Sequence, residues 1–193
     1  MANFTGARFT NGADFTGAKF TGLANFSVAR FTVRADFTGA QFIALADFKD
    51  TQFTNGAMFT RARFANVADF SVARFTGVTS FIGAQFTNVA RFTVTQFTQM
   101  AYFMRAQFAS GTYFTVAQFS NVADFKGTQF SNGADFAGTQ FTDRADFVGA
   151  RVTSTAEPGS AWPPGWMARP AHPDTGEDPA FLYMARVEEP PDA

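Results

Sequence analysis

Phenylalanine recurs along the chain at alternating steps of five and six residues, from Phe4 to Phe147, and Val152 takes the next five-residue step. Of the 28 Phe residues, only Phe181 lies outside this pattern. The repeating unit therefore has eleven residues, and fourteen copies of it fill residues 2–155. Such a short period predicts one small structural unit stacked on itself, in which each copy buries its apolar side against its neighbours.

A helical interpretation of this period fails on geometry. On a helix with about 100° per residue, a five-residue step moves a side chain about 140° around the axis, and a six-residue step moves it about 240°. The Phe side chains would then lie on different sides of the helix. Thr or Ser follows most of the Phe residues, and Gly occurs in many units; these residue types are weak helix formers. The pattern therefore excludes a helical repeat.

A small residue two positions before each Phe predicts short extended segments instead. Residues two apart point to the same side of a strand, so the small residue and the Phe face inward together while the residue between them faces outward. The outward residues are mostly polar, as in Asn3, Arg8 and Asp14. Of the 28 small positions 22 are Ala, and the six others are Thr51, Thr79, Thr95, Thr112, Thr128 and Thr139. Short segments of this kind, joined by corners, wind into a β-solenoid.

Units such as Ala-Asp-Phe-Thr-Gly (13–17) and Ala-Gln-Phe-Thr-Asn (84–88) resemble the pentapeptide-repeat family. The family unit is a small residue, a polar residue, Leu or Phe, Ser or Thr, and a variable residue. The resemblance covers residues 2–155 and implies an all-β fold, a right-handed quadrilateral β-helix with one unit on each side. Every second unit here carries a sixth residue, so a four-sided coil takes 22 residues and the repeat makes about seven coils around stacked Phe rings.

The sixth residue departs from the family pattern and changes the shape of two of the four corners rather than the fold. At one corner it forms an apolar ladder, which is either an exposed ridge or additional core, and we expect partial burial. The residues of that ladder are Leu23, Leu45, Val67, Val89, Gly111 and Gly133. The alternative geometry has coils of eleven residues with two flat faces. Such thin coils usually depend on disulfides, and the chain contains no Cys.

The composition changes after the repeat, and this change predicts a second region at residues 156–193. Residues 1–155 carry a net charge of +4, whereas residues 156–193 carry a net charge of −5 and most of the Pro. Because the last coil of a solenoid ends in an exposed strand edge, we expect Trp162, Trp166 and Phe181 to cap it. Segments 166–169 and 181–187 could form a short hairpin there. The alternative is a docking tail or a homodimer formed through a solenoid end.

The chain contains few residues suited to catalysis or to metal binding. Its only histidine is His172, in the Pro-rich region, which excludes sites built from several histidines. The outward Asp residues recur 22 residues apart, as Asp14 and Asp36 do, and such ladders are typical of a solvated surface. We expect no enzymatic activity, no metal site and no cofactor. No stretch has the length of a membrane span and no signal peptide precedes the repeat, so we expect a cytoplasmic protein.

Departures from the repeat mark a candidate interaction patch in the middle coils. The outward residues on one side change there from Asp and Thr to Met58, Ile82, Tyr102 and Met104. Arg91 and Tyr113 lie at the same height and were assigned to the neighbouring side. Met, Tyr and Arg are residue types that interfaces favour, and an apolar patch on a polar rod indicates a contact surface.

The sequence therefore predicts a non-catalytic scaffold that mediates protein–protein interaction with an unidentified partner. The best-known members of the family are DNA mimics that bind DNA gyrase, and this is the alternative function. Mimicry needs a strongly negative surface, and the net charge of +4 on the repeat disfavours it. The cations alternate with Gln instead of forming a basic stripe, which disfavours nucleic-acid binding. Ser27 and Lys49 interrupt the outward Thr ladder that ice binding would need.

Overall fold

The chain folds into a four-sided β-solenoid of seven coils, with no α-helix in the described residues. A computed structural model describes residues 1–153 and 161–187. Each coil takes 22 residues and carries one short strand per side, which pairs in parallel with the strand 22 residues away, as Ala46 pairs with Ala68. The prediction of an all-β solenoid with coils of 22 residues is confirmed. The predicted boundary at residues 155 and 156 lies outside the described part of the chain.

We number the sides face 1 to face 4 in chain order, and the coils 1 to 7 from residue 2. Face 1 contains Ala2–Asn3, Ala24–Asn25, Ala46–Asp47, Ala68–Asp69, Ala90–Arg91, Thr112–Tyr113 and Ala134–Asp135. Face 2 contains Arg8–Phe9, Arg30–Phe31, Gln52–Phe53, Arg74–Phe75, Gln96–Phe97, Gln118–Phe119 and Gln140–Phe141. Face 3 contains Ala13–Asp14, Ala35–Asp36, Ala57–Met58, Thr79–Ser80, Ala101–Tyr102, Ala123–Asp124 and Ala145–Asp146. Face 4 contains Lys19–Phe20, Gln41–Phe42, Arg63–Phe64, Gln85–Phe86, Gln107–Phe108, Gln129–Phe130 and Arg151–Thr153.

Face 4 is extended by a terminal hairpin. The strand Arg151–Thr153 pairs antiparallel with Phe181–Arg186, which in turn pairs antiparallel with Trp166–Pro170. A short 3₁₀ turn, Pro173–Thr175, lies in the loop between the two hairpin strands. The change from parallel to antiparallel pairing ends the regular stacking of coils on this side.

Four columns of stacked Phe rings form the core. Rings in one column lie almost parallel, with centroids 4.9 Å apart for Phe48 and Phe70. Columns on faces 1 and 3 interleave edge to face, as Phe26 and Phe37 do at 5.4 Å and 86°. Both geometries are favourable for aromatic rings and add about 0.5–1.5 kcal/mol per pair beyond burial. Inward Ala residues, fully buried in the middle coils, close the space between the rings.

The backbone hydrogen bonds run in opposite directions on adjacent faces. On faces 1 and 3 the N–H groups donate to the following coil, as Phe26 N donates to Asp47 O at 2.7 Å. On faces 2 and 4 they donate to the preceding coil, as Gln52 N donates to Ala29 O at 2.9 Å. Each interior coil therefore satisfies its strand backbone by using the coils on both sides of it.

Threonine replaces Ala in the core where its hydroxyl can reach a backbone carbonyl. The Thr95 hydroxyl donates to Phe70 O at 2.8 Å, and Thr128 makes the same bond to Phe103 O. Thr51 and Thr139 repeat this arrangement. Because the hydroxyl is hydrogen-bonded, the polar atom is buried without the penalty of an unpaired group.

Each five-residue unit ends in a residue with left-handed backbone conformation. Seven of these fourteen corner residues are Gly, but the corner between faces 1 and 2 has valine in four coils. The four valines have φ between 58° and 62° and are Val28, Val72, Val94 and Val116. A β-branched residue in this conformation costs on the order of 1–2 kcal/mol, because its Cβ crowds the backbone. The sixth residues at the corner between faces 4 and 1 are partly buried, with Leu45 37% exposed.

Replacing a central core ring, Phe70→Ala, is expected to lower the free energy of unfolding by about 3–5 kcal/mol, because a large cavity forms in a close-packed column. Urea unfolding followed by circular dichroism measures this change. The matched variant Phe4→Ala lies in the first coil, where the ring is only half-buried, and a smaller loss is expected there. Equal losses at both positions would contradict a core organised around the central rings.

Replacing a corner valine, Val94→Gly, is expected to raise the free energy of unfolding by up to about 1 kcal/mol. Relief of the left-handed strain exceeds the entropy that Gly adds to the unfolded chain, about 0.5–1 kcal/mol. Thermal unfolding measures the difference. The control Val89→Gly removes a half-buried valine outside the left-handed region and is expected to destabilise. A loss of stability in both variants would show that the corner valines carry no strain.

Candidate functional site

The apolar departures from the repeat lie together on face 3. We define the face 3 belt as Met58, Ile82, Tyr102 and Met104, in coils 3 to 5. All four side chains are half-buried. They stand on the outward positions of rigid strands rather than on loops, so the backbone that carries them is fixed by pairing on both sides.

Contacts within the belt hold its aromatic residue in place. The Tyr102 hydroxyl lies 3.0 Å from the sulfur of Met100, the sixth residue at the corner between faces 2 and 3. Ser80 occupies the column between Met58 and Tyr102, is almost fully buried, and its hydroxyl lies 2.8 Å from the Thr60 hydroxyl. The belt is therefore a set of large side chains around one small, hydrogen-bonded residue.

Ion pairs border the belt at both ends of face 3. Toward the N-terminus, Arg34 contacts Asp36 at 2.6 Å. Toward the C-terminus, Asp146 contacts Lys126 at 3.2 Å and Arg144 at 2.5 Å. Burial alone would raise the pKa of Asp146, but hydrogen bonds from the Val148 N–H and from these two cations outweigh burial and hold the pKa below 3.8. The acidic residues beside the belt are thus largely neutralised by neighbours.

Arg91 and Tyr113 do not join the belt. They lie on face 1, which is opposite face 3 because the chain passes along face 2 between them. The assignment of these two residues to the neighbouring side is therefore wrong, and the expected patch of six residues is divided between two opposite sides. Counting four sides per coil assigns units two apart to opposite faces, and this count was sufficient to place them.

Tyr113 packs over a glycine corner, a contact that the sequence analysis missed. A Cβ atom placed on Gly111 would lie only 3.0 Å from the Tyr113 hydroxyl and 3.3 Å from its ring. Leu or Val occupies the corresponding corner position in coils 1 to 4. The Tyr113 ring therefore supplies the apolar surface that Gly111 lacks. The signal was available in the sequence, since the glycine and the tyrosine both depart from the repeat two residues apart.

The hairpin residues lie against the last coil. The Trp162 ring centroid lies 6.1 Å from that of Phe130, and the Trp166 centroid lies 5.3 Å from that of Phe147. Phe181 does not contact these core rings and instead lies beneath the Arg151 guanidinium at 4.2 Å. The two tryptophans therefore cover Phe rings at this end, as expected of a cap, and Phe181 packs on the edge of face 4.

A cleft of about 480 Å³ lies between face 3 and the terminal hairpin. Its charged lining is internally paired: Arg169 holds Glu177 through two contacts of 2.8 Å, and Arg144 holds Asp146. The bond from Arg169, with a second from the His172 N–H, lowers the pKa of Glu177 to about 2. The described residues contain no group of His, Cys, Asp and Glu arranged to hold a metal ion.

A comparison with protein families agrees with the repeat and with the fold. The family model described as pentapeptide repeats (9 copies) matches residues 4–52, 73–118 and 114–157. The chain belongs to the pentapeptide-repeat family. No curated protein and no solved structure matches this pentapeptide-repeat chain. Within residues 1–153 and 161–187, no helix has the length and apolar character to cross a membrane.

Acid is expected to weaken the last coils through Asp146. Because its pKa in the folded state lies below the ordinary value of 3.8, its ion pairs stabilise the fold fully above that value. This stabilisation is lost as the pH falls through the lowered pKa. Urea unfolding at about pH 6 and about pH 3 should show a smaller decrease for Asp146→Asn than for the unaltered chain. An identical decrease in both proteins would remove Asp146 as the cause.

Proposed function

We propose that this pentapeptide-repeat protein is a non-catalytic scaffold that binds a protein partner through the face 3 belt. The observation that carries the proposal is the replacement of Asp and Thr by large apolar side chains on one face of three consecutive coils. Half-exposed Met and Tyr residues on an otherwise polar surface are typical of contact sites, where aromatic residues and Met are enriched.

The rigidity of the belt supports this proposal. The side chains stand on strands that are paired on both edges above a core of stacked rings, so little conformational entropy is lost when a partner binds. Tyr102 is further held by Met100. Ion pairs on either side, such as Lys126 with Asp146, supply the polar rim that surrounds the apolar centre of ordinary interfaces.

The proposal includes no catalytic step. His172 lies exposed in the hairpin loop, far along the chain from the belt, and its Nδ1 accepts a hydrogen bond from the Asp174 N–H. The carboxylates beside the belt are paired with cations and have lowered pKa values, the reverse of what a general base near neutral pH requires. A binding surface accounts for these features without further chemistry.

The distribution of charge gives the alternative, DNA-mimic binding to DNA gyrase, no support. The outward strand residues of faces 2 and 4 are Arg, Lys or Gln in every coil. On faces 1 and 3 the Asp columns are interrupted in the middle coils, by Arg91 and Tyr113 on one side and by Met58 and Tyr102 on the other. No face therefore offers the continuous negative charge that mimicry of a phosphate backbone needs.

A capture experiment with paired variants tests the belt. The double variant Tyr102→Asp/Met104→Asp places charges in its centre and is expected to abolish capture of a partner from lysate, because an aspartate pressed into an apolar contact would be desolvated. Mass spectrometry identifies the captured proteins. The control Gln107→Asp/Ala109→Asp changes the equivalent outward positions of the same coil on face 4, which are exposed, and is expected to retain the partner.

The outcome distinguishes a belt-dependent partner from unspecific capture. A protein retained by the unaltered chain and by the control but lost by the belt variant supports the proposal, provided that circular dichroism shows both variants folded. Loss in both variants, or in neither, would overturn it. Capture of gyrase in a belt-independent manner would instead favour the DNA-mimic alternative.

A further inference from the structure

Two apolar rails run along the edges of face 1. The valine rail, at the corner with face 2, consists of Val28, Val72, Val94 and Val116. The leucine rail, at the corner with face 4, consists of Leu23, Leu45, Val67 and Val89, and the Tyr113 ring over Gly111 extends it by one coil. Of the nine large apolar residues that are exposed in residues 2–153, six belong to these rails or to Tyr113. The apolar surface of the solenoid is therefore concentrated around face 1.

The valine rail is stabilised by no contact that would explain its residues. Its members are 37–48% exposed, and each holds a left-handed backbone conformation that Gly adopts at the same corner in Gly6 and Gly138. A strained residue persists only where something compensates for it, and strain at an exposed position points to a function outside the fold. Burial of the valines by another molecule would supply that compensation.

Charged residues lie in register between the rails. Asp69 and Arg91 are adjacent on face 1, in coils 4 and 5, and Asp47 and Tyr113 flank them in coils 3 and 6. No carboxylate of the described residues lies within 4 Å of the Arg91 guanidinium. Asp69 uses Oδ1 to accept from the Ser71 N–H at 2.9 Å, which leaves Oδ2 for another donor.

This column selects one orientation for a second copy of the chain. If two copies met face to face in parallel, Asp69 would oppose Asp69 and Arg91 would oppose Arg91, which is repulsive. If they met antiparallel about a two-fold axis between coils 4 and 5, Asp69 of each copy would oppose Arg91 of the other. The same operation brings Asp47 opposite the Tyr113 hydroxyl. Each of these contacts occurs twice, as an isologous interface requires.

We propose that face 1 is a homodimer interface in which two solenoids pack antiparallel about this axis. The charge column meets its own complement, and the two-fold operation also places each rail against the same rail of the partner. At the centre Val72 then meets Val94 of the second copy, twice. The spacing matches because a partner built from the same coils repeats at the same distance along the axis. The inference does not rest on the face 3 belt, which lies on the opposite side.

Charge reversal tests the interface. Sedimentation of the unaltered chain is expected to give a mass that approaches twice 21.0 kDa as concentration rises. Asp69→Arg places like charges opposite Arg91, and Arg91→Asp places them opposite Asp69, so each variant alone is expected to sediment as a monomer. An equimolar mixture of the two variants restores both attractive pairs and is expected to recover the dimer mass. Circular dichroism of each variant confirms that its monomeric mass reflects a folded chain.

Two further variants separate this interface from other modes of association. Arg63→Asp reverses a charge at the equivalent outward position of face 4 and is expected to leave the dimer unchanged. Val94→Gly is expected to weaken dimerisation at least tenfold while raising the melting temperature, an opposite pair of effects that misfolding cannot produce. A monomer at every soluble concentration would overturn the proposal. A dimer indifferent to both face 1 reversals, as in end-to-end association, would also overturn it.

Cross-linking tests the orientation, because the chain contains no native Cys. In the antiparallel dimer, coil 2 lies opposite coil 7, so Asn25→Cys in one copy approaches Asp135→Cys in the other. Mild oxidation of a mixture of these two single variants is expected to give mainly the mixed disulfide. Preferential linkage of Asn25→Cys to itself would show a parallel arrangement and would contradict the proposed axis.

Discussion

The distance between neighbouring strands of a sheet, about 4.8 Å, is also a distance at which two aromatic rings stack, and the whole molecule depends on this agreement. Phe53 and Phe75, one coil apart, have centroids separated by 4.8 Å with ring planes within 3°. Backbone pairing and ring stacking are therefore satisfied by the same translation. A coil with one residue more or fewer would lose both at once, which explains the strict 22-residue period. Outward residues are under no such constraint, and the molecule's individuality lies there.

What could be predicted from the sequence follows from this division. The inward Phe and Ala positions repeat without exception in the core, so the strands, the coil length and the column structure were all accessible from spacing. The left-handed valines were not, because a valine at the last position of a unit is indistinguishable in a sequence from a valine on a strand. The placement of Arg91 opposite the face 3 belt required only the count of four sides, and it was missed. The contact of Tyr113 with Gly111 depends on a side-chain direction that spacing does not specify.

The faces of the solenoid differ in their charge because the five- and six-residue units accept different outward residues. On the strands of faces 2 and 4 the outward column holds only Arg, Lys and Gln, and every Asp of a strand lies on face 1 or face 3. The two acidic sides are also those in which apolar residues interrupt the columns. Met58 and Tyr102 do so on one side, and Tyr113 does so on the other. Two opposite surfaces are thus distinguished from a uniform background, and a molecule with two such sides can join two different neighbours without steric conflict between them.

The alternating direction of the backbone hydrogen bonds has an electrostatic consequence for the length of the molecule. In an α-helix all peptide dipoles point one way and their sum appears as partial charge at the ends. Here faces 1 and 3 point their N–H groups forward, whereas faces 2 and 4 point them backward, so the axial dipoles largely oppose one another within every coil. Adding a coil therefore adds little axial field. A solenoid of this kind can grow by duplication of its 22-residue unit without its ends becoming progressively more polar, and its length can be set by the reach that binding demands.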